Sequence, residues 1–344
     1  MKSILFCKNP YAFGILKPIK DVLQNQNEAF LWYVPKNLLQ EFPFKTEPYT
    51  TSPKELKSFK SDAIFVPGNE VPHYLTGVKT QIFHGLAGEK KGHFRIRHYF
   101  DLYLTQGPYF TNRFNELANI HKDFKVIETG WPKLDVYGTD KNNYNGEKKT
   151  LLEKHHAKKI LLYAPTFSPK LTSAPFLQEE IKNLAKNKDY LILIKFHDLM
   201  AKEWVLAYKD IASHSGNVVF EEERNIIKFL LMADLLISDT SSVIYEFLLL
   251  DKPVISFKNV APEILWENSL EYSGLVNLVY KNLHKDPFKN QRQYIYDQYH
   301  PYSDGKSAER MVTAVKSYIE KYGVPDKRDI SFFRKYKMYK MFRS

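Results

Sequence analysis

The amino-acid sequence predicts an α/β protein with two doubly wound domains, and three observations favour this class. Short apolar runs alternate with helical patterns along the whole chain, as in proteins that fold into parallel sheets. A length of 344 residues suffices for two domains of ~150 residues each. A hydrophobic content of 44% can fill their cores.

The predicted elements follow from the apolar runs in order. In the first half, strands are predicted at residues 3–6, 29–34, 63–66, 80–83, 102–105 and 125–129, and helices at 15–24 and 109–118. A polar stretch then begins near residue 138. Strands resume at residues 160–163, 190–195, 217–220, 235–238 and 253–257, with helices between them.

The polar stretch predicts the boundary between domains. We expect a first Rossmann-like domain at residues 1–140, a linker at 141–158, a second Rossmann-like domain at 159–320 and a tail at 321–344. Two such domains would face each other across a cleft, with ligands at the carboxyl ends of the strands.

The net charge of +11 favours a polyanionic partner. Residues 327–344 contain seven Lys or Arg and one Asp, so this tail carries +6 of the total. Because the remaining basic residues are scattered, we expect no nucleic-acid partner; a non-catalytic nucleic-acid-binding protein is the alternative of another class. The single cysteine, Cys7, excludes a disulfide framework and fits a reducing cytoplasm.

The tail alternates aromatic and Met residues with Lys and Arg. This pattern predicts a helix that binds an anionic membrane surface; the alternative is a helix docked on the first domain with its basic face solvated. No apolar run approaches the ~20 residues needed to cross a bilayer. We therefore expect a cytoplasmic protein, peripheral on the inner face of the membrane.

The strongest local pattern is the run from Leu235 to Glu246. A buried strand ends in small hydroxyl residues just before a helix, so Thr240, Ser241 and Ser242 can present hydroxyl and amide donors to a phosphate. Glu246 lies about one turn further on, where its carboxylate could hold ribose hydroxyls. The alternative is an ordinary N-cap before a core helix.

Two further strands of the second half end in polar residues. The apolar strand at 190–195 leads to His197, whose imidazole could donate to a phosphate and stabilise a leaving group. The strand at 160–163 leads to Thr166, whose hydroxyl could enter the cleft. Structural roles for both residues are the alternatives.

In the first domain, the strand at 80–83 leads to His84 and Gly85. A histidine is the side chain best suited to general-base catalysis at neutral pH, and glycine lets a backbone approach a ligand. In the following loop, Lys90 and Lys91 could bind an anionic acceptor. The alternative is a solvated loop with a chance histidine.

Six short sequence boxes, in this order, resemble the CDP-glycerol glycerophosphotransferase family, whose members prime and polymerise teichoic acids and related capsule polymers. The matching residues are His84-Gly85 with the two lysines, residues 130–135, residues 163–167, His197, residues 238–243 with Glu246, and Asp304-Gly305 with Arg310. The resemblance spans about residues 80–312.

This resemblance implies a GT-B fold and transfer of a polyol phosphate, most simply glycerol phosphate, from a CDP-activated donor to a polymer or lipid-linked acceptor, releasing CMP. It implies that His84 takes the acceptor proton and that residues 240–242 hold the diphosphate. His197, Thr166 and Arg310 would act on the donor phosphates, and no bound metal is expected. The enzyme alternative is a GT-B glycosyltransferase that uses CMP-Kdo or a UDP-sugar in capsule or lipopolysaccharide synthesis.

Overall fold

The computed structural model describes residues 1–88, 92–138, 140–223 and 225–342. The chain forms two compact units. Unit 1 comprises Met1–Thr139 and Gln298–Ser344, and unit 2 comprises Asp140–Asp297. Each unit contains one parallel sheet with helices in the connections, so the predicted α/β class is confirmed.

The strands are β1 (Lys2–Phe6), β2 (Ala29–Tyr33), β3 (Tyr49–Thr50), β4 (Ala63–Val66), β5 (Val78–Gln81), β6 (Leu102–Thr105), β7 (Lys125–Glu128), β8 (Lys159–Tyr163), β9 (Tyr190–Ile194), β10 (Val218–Phe220), β11 (Leu235–Ser238), β12 (Val254–Phe257) and β13 (Glu267–Ser269). The α-helices are α1 (Tyr11–Asn25), α2 (Pro53–Ser58), α3 (Pro108–His121), α4 (Asn145–Lys154), α5 (Gln178–Leu184), α6 (Lys202–Ser213), α7 (Ile226–Met232), α8 (Val243–Leu248), α9 (Leu275–His284), α10 (Lys289–Tyr299), α11 (Ser307–Tyr322) and α12 (Phe332–Met341).

The sheet of unit 1 has the strand order β3-β2-β1-β4-β5-β6-β7. Strand β1 pairs in parallel with β2 on one side and β4 on the other, so the order reverses between β1 and β4. In doubly wound sheets, ligand sites form beside such a reversal, at the carboxyl ends of the strands.

The sheet of unit 2 has the order β10-β9-β8-β11-β12-β13. Strand β8 lies between β9 and β11, with Leu161 aligned to Ile192 and Leu235. The carboxyl ends of β9, β8 and β11 are therefore neighbours on one edge, and the residues that follow these three strands are brought together.

The buried strands explain why the apolar runs were informative. Strand β9 is buried over all five residues, and β11 over all four. Parallel strands covered on both faces need continuous apolar sequences, since neither face meets water. The strands missed by the sequence prediction are β3 and β13, which are edge strands of two and three residues with polar members.

The domain boundaries differ from the sequence prediction in two places. The predicted linker at 141–158 contains α4 and belongs to unit 2, whereas residues 298–320 belong to unit 1 rather than to the second domain. The carboxylate of Asp135 accepts the amides of Ser307 and Ala308, at 2.8 and 2.9 Å, at the start of α11. These bonds fasten α11 to unit 1, where it packs against α1.

The tail is also packed on unit 1. Arg328 donates to the carboxylates of Asp101 and Asp123, at 2.5 and 2.8 Å, and Met338 of α12 is fully buried. Within the described residues, no helix combines the length and the apolar character that crossing a bilayer requires.

Candidate functional site

The hydroxyl-rich segment 238–242, here called the phosphate segment, follows β11 at the centre of the unit 2 sheet. Ser238 is fully buried, and its hydroxyl donates to the carbonyl of Ala164 at 2.7 Å. The segment is thereby tied to the end of the neighbouring strand β8.

Asp239 organises the loop that follows β8. It is fully buried; Oδ1 accepts the Thr166 amide at 2.8 Å, and Oδ2 accepts the amide and the hydroxyl of Ser173 at 2.8 and 2.9 Å. Burial raises the pKa of Asp239 to about 6, although the hydrogen bonds from Thr166 and Ser173 act in the opposite direction. No role was predicted for Asp239, but an acid directly after an apolar strand was the available signal.

Thr240 carries an unsatisfied hydroxyl. Its Oγ1 is buried and has no hydrogen-bond partner among the described residues. A buried polar atom without a partner costs free energy, and such atoms are rare in folded proteins. The Thr240 hydroxyl therefore has hydrogen-bonding capacity that no described residue uses.

Ser241 and Ser242 are half-buried at the entrance to α8. Ser241 Oγ accepts the Val243 amide at 3.5 Å, and Ser242, at the N-cap position, makes no side-chain cap bond. The predicted capping role therefore falls mainly on Ser241. Glu246 is only 4% exposed on α8, so its predicted contact with a ribose stays a prediction.

His197 lies three residues after β9 and is exposed. Its Nδ1 accepts the Leu199 amide at 3.1 Å, so the proton of the neutral ring is on Nε2, which can donate. The ring packs against Phe167 with centroids 4.4 Å apart. The side chain is exposed, but desolvation by the groups packed around the ring lowers the pKa of His197, and nearby Asp198 opposes this effect.

The structure thus brings together three of the predicted groups of donor-site residues. Thr166 is bonded to Asp239, Phe167 touches His197, and the phosphate segment begins beside both. All belong to loops after the adjacent strands β9, β8 and β11.

His84 lies in unit 1, three residues after β5. This strand ends two residues earlier than predicted, and Phe83 has a φ of 61°, which turns the chain and leaves His84 exposed. His84 Nδ1 lies 3.1 Å from the carbonyl oxygen of Pro67, which can only accept. The neutral imidazole therefore has its proton on Nδ1 and its lone pair on Nε2, the form that a general base requires.

Two aromatic residues that the sequence analysis did not identify support His84. The ring of Tyr11 stacks on the imidazole with centroids 5.2 Å apart. The indole of Trp131 donates to the Phe83 carbonyl at 3.4 Å, directly before His84. Tyr11 had no sequence signal beyond its place after β1, whereas Trp131 lies in a box that the family resemblance had marked.

The predicted acceptor residues are placed only in part. The carbonyl of Gly85 accepts from the side-chain amide of Gln106 at 3.0 Å, and the space where a Cβ would stand is open. Lys90 and Lys91 lie outside the described residues.

Arg310 lies in unit 1, whereas the other predicted donor-site residues lie in unit 2. Its guanidinium donates to the Thr129 carbonyl at 2.8 Å and to the Asp304 carboxylate at 2.7 Å, and covers the Tyr302 ring at 4.1 Å. These contacts favour a structural role, and phosphate binding by Arg310 stays a prediction.

Among residues 1–88, 92–138, 140–223 and 225–342, no three His, Cys, Asp or Glu side chains are grouped so that they could hold a metal ion. The donors at the site are hydroxyl, amide and imidazole groups.

Two Rossmann-like units with parallel sheets define the GT-B class of folds. Solved structures agree. The wall teichoic acid polymerase TagF aligns over 93% of this chain and 89% of its own, with a TM-score of 0.67 and 20% identity. A UDP-GlcNAc 2-epimerase from Neisseria meningitidis aligns over 92% and 100%, with a TM-score of 0.65 and 15% identity.

The chain belongs to the CDP-Glycerol:Poly(glycerophosphate) glycerophosphotransferase family, whose model matches residues 77–264. It is 31% identical over 161 residues to a teichoic acid glycerol-phosphate primase of Bacillus spizizenii, covering 46% of this chain. It is 25% identical over 248 residues to the primase of Bacillus subtilis, covering 63%. The matched regions are 40% and 58% of those relatives' lengths. The predicted fold and family resemblance are confirmed.

Proposed function

We propose that the protein transfers glycerol phosphate from CDP-glycerol to a hydroxyl of a cell-envelope polymer or lipid-linked acceptor and releases CMP. Family membership carries this proposal, because the matched segment includes His84, His197 and the phosphate segment. The names of relatives in Bacillus, which include glycerol-phosphate primases and a polymerase, support the same chemistry.

In this proposal, unit 2 binds the donor. The phosphate segment supplies the unsatisfied Thr240 hydroxyl and the neighbouring serine hydroxyls and amides for the diphosphate. His197 donates its Nε2 proton toward the departing CMP phosphate, because its Nδ1 is already an acceptor. Glu246 would contact the ribose.

His84 acts on the acceptor hydroxyl as the general base. Its Nε2 lone pair takes the hydroxyl proton while the acceptor oxygen forms a bond to the polyol-bearing phosphorus. The bond between that phosphorus and the bridging oxygen of CMP breaks at the same time. Gly85 and the lysine pair Lys90 and Lys91 would bind an anionic acceptor near this residue.

The deciding experiment is CMP release from CDP-glycerol with a lipid-linked acceptor, with CDP-ribitol in parallel. The second donor belongs in the panel because one relative is a teichoic acid ribitol-phosphate primase. Thermal-shift titrations with CDP, CMP, UDP and GDP precede it, and we expect the largest stabilisation from CDP. Preference for UDP, with turnover of a UDP-sugar, would replace the proposal with the glycosyltransferase alternative.

We expect turnover without an added divalent cation, because hydroxyl, amide and imidazole donors can offset diphosphate charge. Full activity in EDTA would support this expectation. Loss of activity in EDTA, restored by Mg²⁺, would contradict it.

We also propose that α12 binds an anionic membrane surface, which would make the protein peripheral at the inner face of the membrane. Four of its aromatic residues are largely exposed: Phe332 at 78%, Phe333 at 83%, Tyr336 at 63% and Tyr339 at 60%. Basic residues alternate with them, and each contributes ~1 kcal/mol near anionic lipid. The helix is docked on unit 1 and still presents this surface.

Sedimentation with phosphatidylglycerol vesicles tests this contact. We expect the double substitution Phe332→Ser and Phe333→Ser to weaken binding at least tenfold, since each exposed ring contributes apolar area. Tyr280→Ser, at an exposed position in unit 2, is the matched control. Equal binding by the α12 variant and the control would reject the membrane proposal.

A further inference from the structure

Two loops of unit 1 hold His84 from different sides. Residues 7–11, here called loop A, run from the end of β1 to the first residue of α1 and include Tyr11, which stacks on the imidazole. Residues 67–70, here called loop B, follow β4 and contribute the Pro67 carbonyl that accepts from Nδ1. The orientation and the tautomer of His84 therefore depend on how loops A and B lie relative to each other.

Glu70 ties these two loops together. Its Oε2 accepts from the Lys8 ammonium of loop A at 2.7 Å, so the ion pair joins the loop that stacks on His84 to the loop that bonds it. The Glu70 side chain is only 17% exposed, which distinguishes this pair from a freely solvated one. Although burial acts in the opposite direction, hydrogen bonds from Lys337 and Lys8 lower the pKa of Glu70.

The second carboxylate oxygen of Glu70 is hydrogen-bonded to the tail. Oε1 accepts from Lys337 of α12 at 2.7 Å. The Lys8 ammonium also lies 2.7 Å from the Met341 sulfur and 5.6 Å from the centroid of the Phe342 ring. The tail helix therefore contacts both loops through one carboxylate and one lysine.

We propose that Glu70 is a positioning residue for His84, and that α12 acts through Lys337 and Glu70 to hold loops A and B against the imidazole. The inference rests on the proposed function, in which His84 is the general base. It assigns the tail a second role beside the proposed membrane contact: α12 also sets the orientation of the His84 imidazole.

Matched lysine substitutions on α12 test the proposal. Lys337→Ala removes the contact with Glu70. Lys335→Ala, on the same helix, removes an exposed pair with Asp329, which precedes α12. We expect Lys337→Ala to lower kcat about threefold and Glu70→Ala about tenfold, with KM for CDP-glycerol within twofold, because small misplacements of a reacting group cost rate. Lys335→Ala removes the same positive charge from the proposed membrane surface, so it controls for that charge, and we expect its kcat to exceed that of Lys337→Ala. Lys337→Arg should restore most of the kcat lost in Lys337→Ala.

A double-substitution cycle separates positioning from a general structural effect. In the His84→Ala background, Glu70→Ala should produce no further loss of kcat, because the group it positions is gone. A further tenfold loss in that background would overturn the proposal. Thermal unfolding of each variant confirms that it is folded.

Nitrogen-15 NMR of the imidazole gives a readout independent of turnover. In the wild-type protein, His84 should show the form protonated on Nδ1. Glu70→Ala and Lys337→Ala should shift its ring resonances, and Lys335→Ala should not. Unshifted resonances in Glu70→Ala would reject the inference. If no CDP-polyol is turned over, the proposed function fails, and these spectra still decide whether Glu70 positions His84.

Discussion

Replacing Thr240 by Val should stabilise the free protein while weakening its binding of the CDP-linked donor. The two side chains have nearly the same shape, but Val lacks the buried Oγ1 that finds no partner among the described residues. An unsatisfied buried hydroxyl costs about 1–3 kcal/mol. We therefore expect the free energy of unfolding to rise by about 1 kcal/mol, which moves Tm upward by about 2–4 °C in a unit of this size.

The effect on ligand binding has the opposite sign. A hydrogen bond from a hydroxyl to a charged phosphate oxygen contributes about 1.5–3 kcal/mol, because one partner is ionised. Loss of this bond should weaken CDP binding about 10- to 100-fold. Opposite changes in stability and affinity are the signature of a polar group kept for a ligand rather than for folding.

Calorimetric titration with CDP and thermal unfolding of the free protein measure the two effects. Thr111→Val is the matched control, because the Thr111 hydroxyl donates to the Glu128 carboxylate at 2.6 Å. This control should lower Tm and leave CDP affinity unchanged. If Thr240→Val instead lowers Tm and binds CDP normally, its hydroxyl has a structural partner and the phosphate lies elsewhere.

Three further predictions follow from the same contacts. His84→Ala should lower kcat about 10²- to 10⁴-fold with CDP affinity within twofold, and near wild-type turnover would remove His84 from the mechanism. Burial raises the pKa of Asp239 in the folded protein from 3.8 to about 6, so folding favours the protonated carboxyl. About 3 kcal/mol of the free energy of unfolding, fully present below pH 4, is therefore lost as the pH rises through 6. Urea unfolding of the wild type minus that of Asp239→Asn, across pH 4–7.5, should show this slope, and parallel curves would contradict it. Arg310→Ala should lower the free energy of unfolding by about 1–3 kcal/mol and leave CDP affinity unchanged, since its guanidinium is bound to Thr129 and Asp304; a tenfold affinity loss would restore the donor role.

The interior strands could be predicted because burial on both faces forces their sequences to be apolar. Strand β9 is the clearest case, and its predicted start agrees with the structure. Strands β3 and β13 lie at sheet edges and contain polar residues whose side chains are hydrogen-bonded: Thr50 donates to Glu55 at 2.6 Å, and Asn268 accepts from Ser256 at 2.8 Å. No periodicity in the sequence distinguishes such short segments from loops.

The placement of residues 298–320 could not be predicted, because it depends on contacts across the chain. The pattern of α11 shows an amphipathic helix but not its partner. The partner is fixed by Asp135, which binds the amides of Ser307 and Ala308 more than 170 positions away. The sequence analysis extended the second domain to residue 320, whereas these tertiary hydrogen bonds belong to unit 1.

Five of the six family boxes separate into two physical kinds. Thr166, His197 and the phosphate segment follow adjacent strands of one sheet and present donors. In contrast, residues 130–135 and 304–310 pack on each other inside unit 1, where Asp135 binds the start of α11 and Arg310 binds the Thr129 carbonyl. Motif order alone therefore does not distinguish residues that present donors at strand ends from residues that pack within a unit.

Trp131 connects the structural boxes with the candidate base. Its amide donates to Nε2 of His300 at 2.9 Å, and burial lowers the pKa of His300 to about 4, which keeps that nitrogen an acceptor at neutral pH. Its indole donates to the Phe83 carbonyl beside His84. Trp131 thus joins the returning C-terminal segment to the turn that carries His84, so a box without a reacting group still contacts that turn.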